Sequence, residues 1–487
     1  MILTERVGDV EAPAQDAVAL PLCVELDGSL IKSNVLGDGI LLLLRTAPLQ
    51  ALNLPLWAAR GRRYLESMIW SKAPLDITHL PFNRPLLAYL HAQHGEGKEI
   101  FLVTDTPPQL TDRIEDHLGI FTGVVRTERI RGERRPGTAS LLKRRFEDGF
   151  DYIGGNNADA VALASARHAM LANPGPALNA MIRGKRIRLS QVFEDRKPLS
   201  RSIPRAMRVH QWLKNVLILI PLFLAHAFSM NSLLKVSIAF FSFCLCASST
   251  YIVNDLLDVH VDRRHPKKRF RPFAAGDLST GFGVGMAVLL FSASIAGATQ
   301  LPTSFLRWLS LYAIATLAYS LWLKKLVLVD VILLSTLYTL RLLAGAAAAQ
   351  VKISGWLGGF AAFLFLSLAM VKRFSELQNS RSQGSQIANG RGYLLIDLEQ
   401  IRSFGTASAY ASIVVFSLYI NNRDVIALYG HAPHLWLIVP FMILWISRVW
   451  LLAGRGELNE DPVVFAVTDR ISLLIGLCVG CIVLWSM

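Results

Sequence analysis

Residues 254–262 read Asn254-Asp255-Leu256-Leu257-Asp258-Val259-His260-Val261-Asp262. They are followed by Arg263-Arg264-His265-Pro266-Lys267-Lys268-Arg269-Phe270-Arg271-Pro272, with Gly276 just beyond. They close an apolar run long enough to cross a bilayer. On a helix, steps of three and then four residues put Asp255, Asp258 and Asp262 on one face. Three carboxylates so placed repel one another unless a cation neutralises them. Hard oxygen donors at a helix end, with water left in the shell, suit Mg²⁺, which then bridges to phosphate oxygens. Lys268 and Arg271 would hold those phosphates. The bland alternative is a solvated charge run, but an acid triad followed by cations where a membrane helix ends has little structural purpose.

Outward from this stretch, the composition changes along the chain. Of 487 residues 52% are hydrophobic. Up to about residue 200 charged and apolar residues mix as in a soluble α/β protein; beyond it the apolar residues gather in runs of roughly 18–22, the length of a bilayer crossing. The join falls at 194–204, giving domains 1–195 and 196–487. Nine spans are expected, at 210–229, 232–253, 280–299, 303–322, 326–348, 354–371, 403–421, 433–452 and 469–486. If the front domain is cytosolic, alternation puts the connections after the second, fourth, sixth and eighth spans on the same side. Those connections carry most of the cations, as positive-inside bias requires. The net charge of +14 is thereby explained by orientation, and no aromatic-interleaved basic patch points to nucleic acid. Cys23 lies in an expected buried strand and Cys244, Cys246, Cys478 and Cys481 in apolar spans, so no disulfide framework is implied. The N-terminus has acids and no apolar core before a cleavage site, unlike a signal peptide.

Asn254-Asp255-x-x-Asp258-x-x-x-Asp262 with Arg271-Pro272 resembles the first acid-rich motif of the UbiA superfamily of membrane prenyltransferases. The resemblance runs from about Arg205 to the C-terminus. It implies an all-α bundle of nine transmembrane helices around a cavity, and a Mg²⁺-dependent diphosphate reaction at the cytoplasmic face of an inner membrane. Within the superfamily the chain is most similar to the decaprenyl-phosphate phosphoribosyltransferases. The similar segments are Arg208-Val-His210-Gln211-Trp212-Leu-Lys214-Asn215, Arg263-Arg264-His265-Pro266-x-Lys268-Arg269, Tyr319-Ser320 with Lys324 and Asp330, Lys372-Arg373-x-x-Glu376-Leu377, and Asp461-Pro462-Val-Val-Phe465 with Asp469-Arg470. One departure stands out. The second motif usually carries spaced acids, whereas Gly390-Arg391-Gly392-Tyr393-Leu-Leu-Ile-Asp397 stands here, leaving Glu376 or Asp397 as candidates.

The resemblance implies Asp255, Asp258 and Asp262 as metal and diphosphate ligands and Asn254 as an orienting or substrate-binding partner. Lys214, Lys268, Arg271, Tyr319, Lys324, Lys372 and Arg373 are the candidate substrate-binding residues. Tyr319, Lys324 and Asp330 read equally well as a helix-end anchor. Arg341, inside a span, should face the cavity. Three functions compete: transfer of phosphoribose from phosphoribosyl diphosphate to a polyprenyl phosphate, transfer of a prenyl chain from a prenyl diphosphate to an aromatic acceptor such as 4-hydroxybenzoate, and non-enzymatic transport. Acids clustered at one membrane face disfavour the last. A homo-oligomer is left open.

The front domain alternates strands and helices. Expected strands end at Glu25-Leu26-Asp27, at Thr104 after 99–103, and at Gly154-Gly155-Asn156-Asn157-Ala158-Asp159 after 150–153, which argues a parallel sheet with its chemistry at the strand ends. Over roughly residues 18–185 this resembles the haloacid-dehalogenase-like phosphatase fold. Glu25 stands where that family's nucleophilic aspartate would, displacing the attacking oxygen by about 1 Å. Asp27 and Thr104 match the family. The usual lysine falls at Thr138, with Lys143 a substitute, and Gly155 replaces the first acid of the last motif, leaving Asp159. The expectation is a degenerate phosphatase domain. The apolar stretch 41–57, broken by Arg45, Pro48 and Pro55, is expected to be a helical insert and not a tenth span.

Overall fold

The structure is a computed structural model that describes residues 20–127, 137–382, 391–458 and 461–487. The extreme N-terminus and Gly390 of the second-motif loop lie outside those residues. Contacts divide the chain into two compact units, Met1–Ile203 with Asp255–Phe282, and Pro204–Asn254 with Gly283–Met487. The acid-rich segment groups with the N-terminal unit.

The first unit is built on six parallel strands, β1 (Leu22–Glu25), β2 (Ile100–Thr104), β3 (Gly123–Arg126), β4 (Asp151–Gly154), β5 (Ala169–Ala172) and β6 (Leu189–Phe193), in the order β3-β2-β1-β4-β5-β6. Strands buried on both faces need unbroken apolar runs. Ile100-Phe-Leu-Val-Thr104 and Leu22-Cys-Val supply them, all buried. The order of strands reverses between β1 and β4, and in open α/β sheets the carboxyl ends at such a point form the crevice. Glu25 and Gly154 end those two strands. The stretch 41–57 is helical, as expected. Helix α1 (Val35–Thr46) starts at Asn34, whose side chain accepts from the Gly37 amide at 2.8 Å. Shorter helices follow, restarted by Pro48 and Pro55, and Leu43, Trp57 and Ile69 share a local core.

In the second unit the helices are long and apolar. Among the described residues six helices could cross a membrane, Met230–Leu257, Thr280–Ala298, Val329–Ala349, Gly355–Arg381, Leu395–Ile420 and Ala432–Gly454; a seventh is possible only if Pro462–Thr468 and Arg470–Ser486, bent by 76°, count as one span. The expected nine are thus corrected. At 210–229 the chain forms a 3₁₀ stretch, Val209–Ile218, and a five-residue helix, Ile220–Leu224. Pro221, lacking an amide proton and fixed in φ, keeps the two from merging into one long helix. The Thr303–Leu321 helix has the length, but Arg307 and its hydroxyl residues dilute its apolar character. Arg470–Ser486 has only 17 residues, about three short of a full crossing.

Among the described residues three apolar clusters hold this unit. Tyr338, Phe365, Phe374 and Phe416 lie in one, Ile218, Phe243, Phe305 and Tyr312 in another, and Ala409, Ile413 and Ile446 in a third. Gly345 lets the Val329–Ala349 helix approach the Val209–Ile218 stretch, because a Cβ there would lie 2.1 Å from the Ile218 carbonyl oxygen. Backbone cannot yield as a flexible side chain can. Gly345→Ala is expected to destabilise by about 1–3 kcal/mol, the usual range for overpacking, and to lower the melting temperature of the detergent-purified chain, read by intrinsic fluorescence. An unchanged melting temperature would contradict this packing.

Candidate functional site

The long helix does not run through the acid motif. Met230–Leu257 stops, Asp258 takes φ −91° and ψ 5°, and a new helix occupies Val259–Arg264. The stripe of three aspartates expected on a continuous helix is accordingly broken. Asp255 and Asp262, both buried, converge instead on Arg271, whose Nη1 lies 3.1 Å from Asp255 Oδ1 and 2.7 Å from Asp262 Oδ2. Asp258 Oδ1 is 3.1 Å from Nη2 of Arg45, in α1. Burial raises the pKa of Asp262, with Arg271 opposing it. Asn254 is half-buried and Lys268 exposed.

Among the described residues no three His, Cys, Asp or Glu side chains are grouped to hold a metal. Asp255 and Asp262 nevertheless fit a magnesium ion. One cationic nitrogen already touches both, and Mg²⁺ is commonly held by one or two carboxylates, with water and substrate phosphate completing the shell.

The second unit gathers its polar residues in three groups. Lys214 Nζ and Lys372 Nζ lie 2.7 and 2.8 Å from the same Asp461 Oδ2, and Tyr338 donates to Asp461 Oδ1 at 3.1 Å. Asp461 also caps Pro462–Thr468 through the Val463 amide. Arg341 is buried; it donates to Asn215 Oδ1 at 2.8 Å and to the Tyr312 hydroxyl at 3.0 Å, and its guanidinium lies over the Tyr312 and Tyr338 rings. The third group centres on Arg373, whose side chain is 1% exposed and donates to Asp330, Glu376 and the Tyr319 hydroxyl. Asp330 also accepts from Tyr393, and Arg391 reaches Tyr319. So Arg373, expected to bind substrate, is sealed within this group, while Tyr319, Glu376 and Arg391 are partly exposed. Lys324 is half-buried. Glu376 is taken up by Arg373, and Asp397 accepts from the Leu394 amide at a helix start. Asp469 pairs with Arg448 at 2.7 Å. Two residues escaped the sequence reading. Asp38 sits in an apolar helix, and Arg45 registered only as a charge interrupting a run.

With this geometry in view, comparison with known proteins is decisive for the family. The UbiA prenyltransferase family profile matches residues 215–484. The chain belongs to the UbiA prenyltransferase family. Such a chain is a membrane transferase. The uncharacterized protein y4nM of Sinorhizobium fredii is 34% identical over 460 residues, covering 94% of this chain and 89% of its own. The decaprenyl-phosphate phosphoribosyltransferase of Mycobacterium tuberculosis is 32% identical over 282 residues, 56% of this chain and 90% of its own. A solved structure of a UbiA homolog from Archaeoglobus fulgidus bound to GPP and Mg²⁺ aligns with a TM-score of 0.45 at 16% identity, over 58% of this chain and 98% of that one.

The front of this UbiA-family chain has its own cluster of acids at the ends of β1 and β4. Tyr152 Oη lies 3.2 Å from both Glu25 Oε2 and Asp159 Oδ1. A phenol has one proton to donate, so the second contact calls for a protonated carboxyl. Desolvation, then Asp159 and Asp27, push Glu25 well above the usual carboxylate range, and burial raises Asp159 and carries Asp27 to about 7. Asp159 Oδ2 accepts from the Gly155 and Asn156 amides at 2.9 and 2.8 Å. Thr104 Oγ1 accepts from the Thr106 amide at 3.0 Å. Thr138 and Lys143 lie on the Thr138–Arg145 helix. A Cβ on Gly155 would stand 2.4 Å from the Ala172 carbonyl oxygen.

Two outcomes follow. Asp27 has a folded-state pKa above its unfolded value of 3.8, so the folded unit holds the extra proton and stability falls as pH rises from about 4 to 7. Asp27→Asn should raise the melting temperature at pH 8 by a few degrees and leave it nearly unchanged at pH 4; equal shifts at both would contradict the burial effect. Gly155→Asp should unfold the unit instead of supplying the missing acid, seen as loss of soluble, monodisperse protein on size exclusion.

Proposed function

We propose that this transferase moves phosphoribose from phosphoribosyl diphosphate to a polyprenyl phosphate, with magnesium. The observation that carries the reading is the pair Lys214 and Lys372 on one carboxylate. Two cations on one anion leave a net positive charge in a site largely withdrawn from water. A phosphate group on sugar or lipid would neutralise it and can accept hydrogen bonds from both lysines. The similarity to the mycobacterial decaprenyl-phosphate phosphoribosyltransferase supports the same substrate class.

In this reading Asp255 and Asp262 hold the metal, and Asp258 and Asn254 complete the acid-rich site. When bound, the magnesium ion would spread the negative charge that builds on the departing diphosphate. Arg271, released from the two carboxylates, and Lys268 turn to phosphate oxygens. The anomeric C–O bond breaks, the electron pair leaves with the diphosphate, and a lipid phosphate oxygen forms the new bond to the anomeric carbon. Lys214 and Lys372 orient a phosphate. Arg373, Tyr319 and Asp330 keep the helices in place, and Lys324 stays a candidate phosphate contact. In this reading the cation-rich loops are cytoplasmic, as positive-inside bias favours.

For the N-terminal domain we propose a haloacid-dehalogenase-like fold without phosphatase activity. A protonated Glu25 is a poor nucleophile. Full-length protein with Mg²⁺ and p-nitrophenyl phosphate should release no more phosphate than its Asp27→Ala variant, and release above that level would restore the catalytic reading.

The transferase is tested with purified protein, labelled phosphoribosyl diphosphate and a polyprenyl phosphate. Label should enter the lipid, Asp255→Asn and Asp262→Asn should each cut kcat at least 100-fold, and Lys214→Met should raise a substrate KM about tenfold with a smaller change in kcat. Turnover of a prenyl diphosphate with an aromatic acid, and none here, would overturn the assignment.

A further inference from the structure

We propose that Arg45, carried by helix α1 of the N-terminal unit, is a diphosphate-binding residue of the transferase. The inference rests on the reading of 255–262 as a diphosphate site. Arg45 is in the last turn of α1 and faces Asp258 at 3.1 Å, with side-chain exposures of 19% and 13%. Long, well-solvated pairs of this kind contribute little. This one is mostly withdrawn from water yet open enough for a ligand to reach.

Its position is fixed from below. Asp38, seven residues earlier and so on the same face of α1, accepts from Arg263 Nη1 at 2.8 Å and from Ser33 Oγ at 2.7 Å. Both members of the Asp38–Arg263 pair are nearly sealed, at 1% and 4% exposed. His260 Nε2 lies 2.9 Å from the Asp38 carbonyl oxygen, and Arg264 Nε 2.8 Å from Asp76. One face of α1 is thus laid along residues 258–264. The seating continues at Gly276, which takes φ 73° and approaches Lys32 so closely that a Cβ would meet it at 2.7 Å.

Such an arrangement does more than clip two segments together. The sealed Asp38–Arg263 pair already fixes α1 on the motif, so the more open Arg45–Asp258 pair is not needed for that. Arg45 instead matches Arg271 across the motif, each guanidinium resting on motif carboxylates. A divalent ion held by Asp255 and Asp262 would weaken their attraction for Arg271, and the added positive charge beside Asp258 would weaken its attraction for Arg45. The negative groups then within reach are diphosphate oxygens, which a planar guanidinium binds in a two-pronged geometry. The soluble domain would therefore contribute a side chain to the membrane enzyme's chemistry.

The test uses the full chain in detergent and inorganic pyrophosphate with Mg²⁺, followed by titration calorimetry. Arg45→Ala should bind pyrophosphate at least tenfold more weakly with its melting temperature unchanged, Arg45→Lys should recover part of the loss, and the donor KM should rise about tenfold while kcat changes less than threefold. Asp38→Asn, which strands Arg263, should instead lower the melting temperature. Pyrophosphate binding in Arg45→Ala equal to wild type, or a loss of binding that only tracks a fall in melting temperature, would overturn the inference. Since pyrophosphate is common to both donor types, Arg45-dependent binding without phosphoribosyl transfer supports the inference and removes only the donor assignment. A wild-type chain that binds no magnesium pyrophosphate would overturn both.

Discussion

Carboxylates withdrawn from water must be neutralised, and much of the chemistry of this chain follows from how that is done. Asp255 and Asp262 are each 2% exposed. Left alone they would repel and take up protons. Arg271 lies against both, so the segment is stable without a metal and is already arranged for one. A cation that rests on carboxylates in the free protein is also a cation available to phosphate once a stronger cation displaces it. The same logic applies at Asp461, where two lysines meet one acid, and the residual charge is of opposite sign.

The contrast with Arg373 is instructive. It too is ringed by acids, Asp330 and Glu376, yet its side chain is sealed and it also donates to Tyr319. Each of its three nitrogens has a partner inside the protein. Breaking such a buried pair by removing one partner leaves an uncompensated charge, at a cost of about 3–5 kcal/mol, so this group serves the packing of the helices. Sequence places Lys372 and Arg373 side by side with the same apparent role. Successive helical residues point about 100° apart, and one lysine therefore reaches the Asp461 group while its neighbour is consumed by an anchor.

Much of the architecture was legible in the sequence because it depends on local patterns. Continuous apolar runs identified three of the six parallel strands, β1, β2 and β4, but not β3, β5 and β6, and the acid-rich motif identified the family over the region that the profile matches. That 41–57 is too interrupted to be one membrane span followed from Arg45, Pro48 and Pro55. What escaped depends on backbone breaks and on distant partners. The turn at Asp258 has no glycine or proline to announce it, so the spacing rule for a continuous helix projected three acids onto one face. Pro221 was present in the sequence, but a run of apolar residues around it masked the break. Asp38 and Arg263 are separated by 225 positions, and no local pattern links them. Span counting failed where length and polarity were marginal, as at Thr303–Leu321 and Arg470–Ser486.

The grouping of 255–282 with the N-terminal unit changes how the front domain is to be understood. In the proposed reading, a front domain without phosphatase activity serves another use. Glu25 and Asp159 both contact the Tyr152 hydroxyl, and Gly155 has no room for a side chain. The outward face of α1 has kept two charged residues in an otherwise apolar helix, Asp38 and Arg45, and both meet the acid-rich segment. Charges that interrupt an apolar helix lower its burial energy and persist where they have partners. Here the partners belong to the segment that identifies the transferase, and the sequence similarity to y4nM extends across both halves of the chain. A domain retained for phosphatase chemistry would be expected to preserve its strand-end acids in ionisable form; one retained to hold and complete the acid-rich segment needs only the rigid sheet beneath α1 and the two charges on its surface.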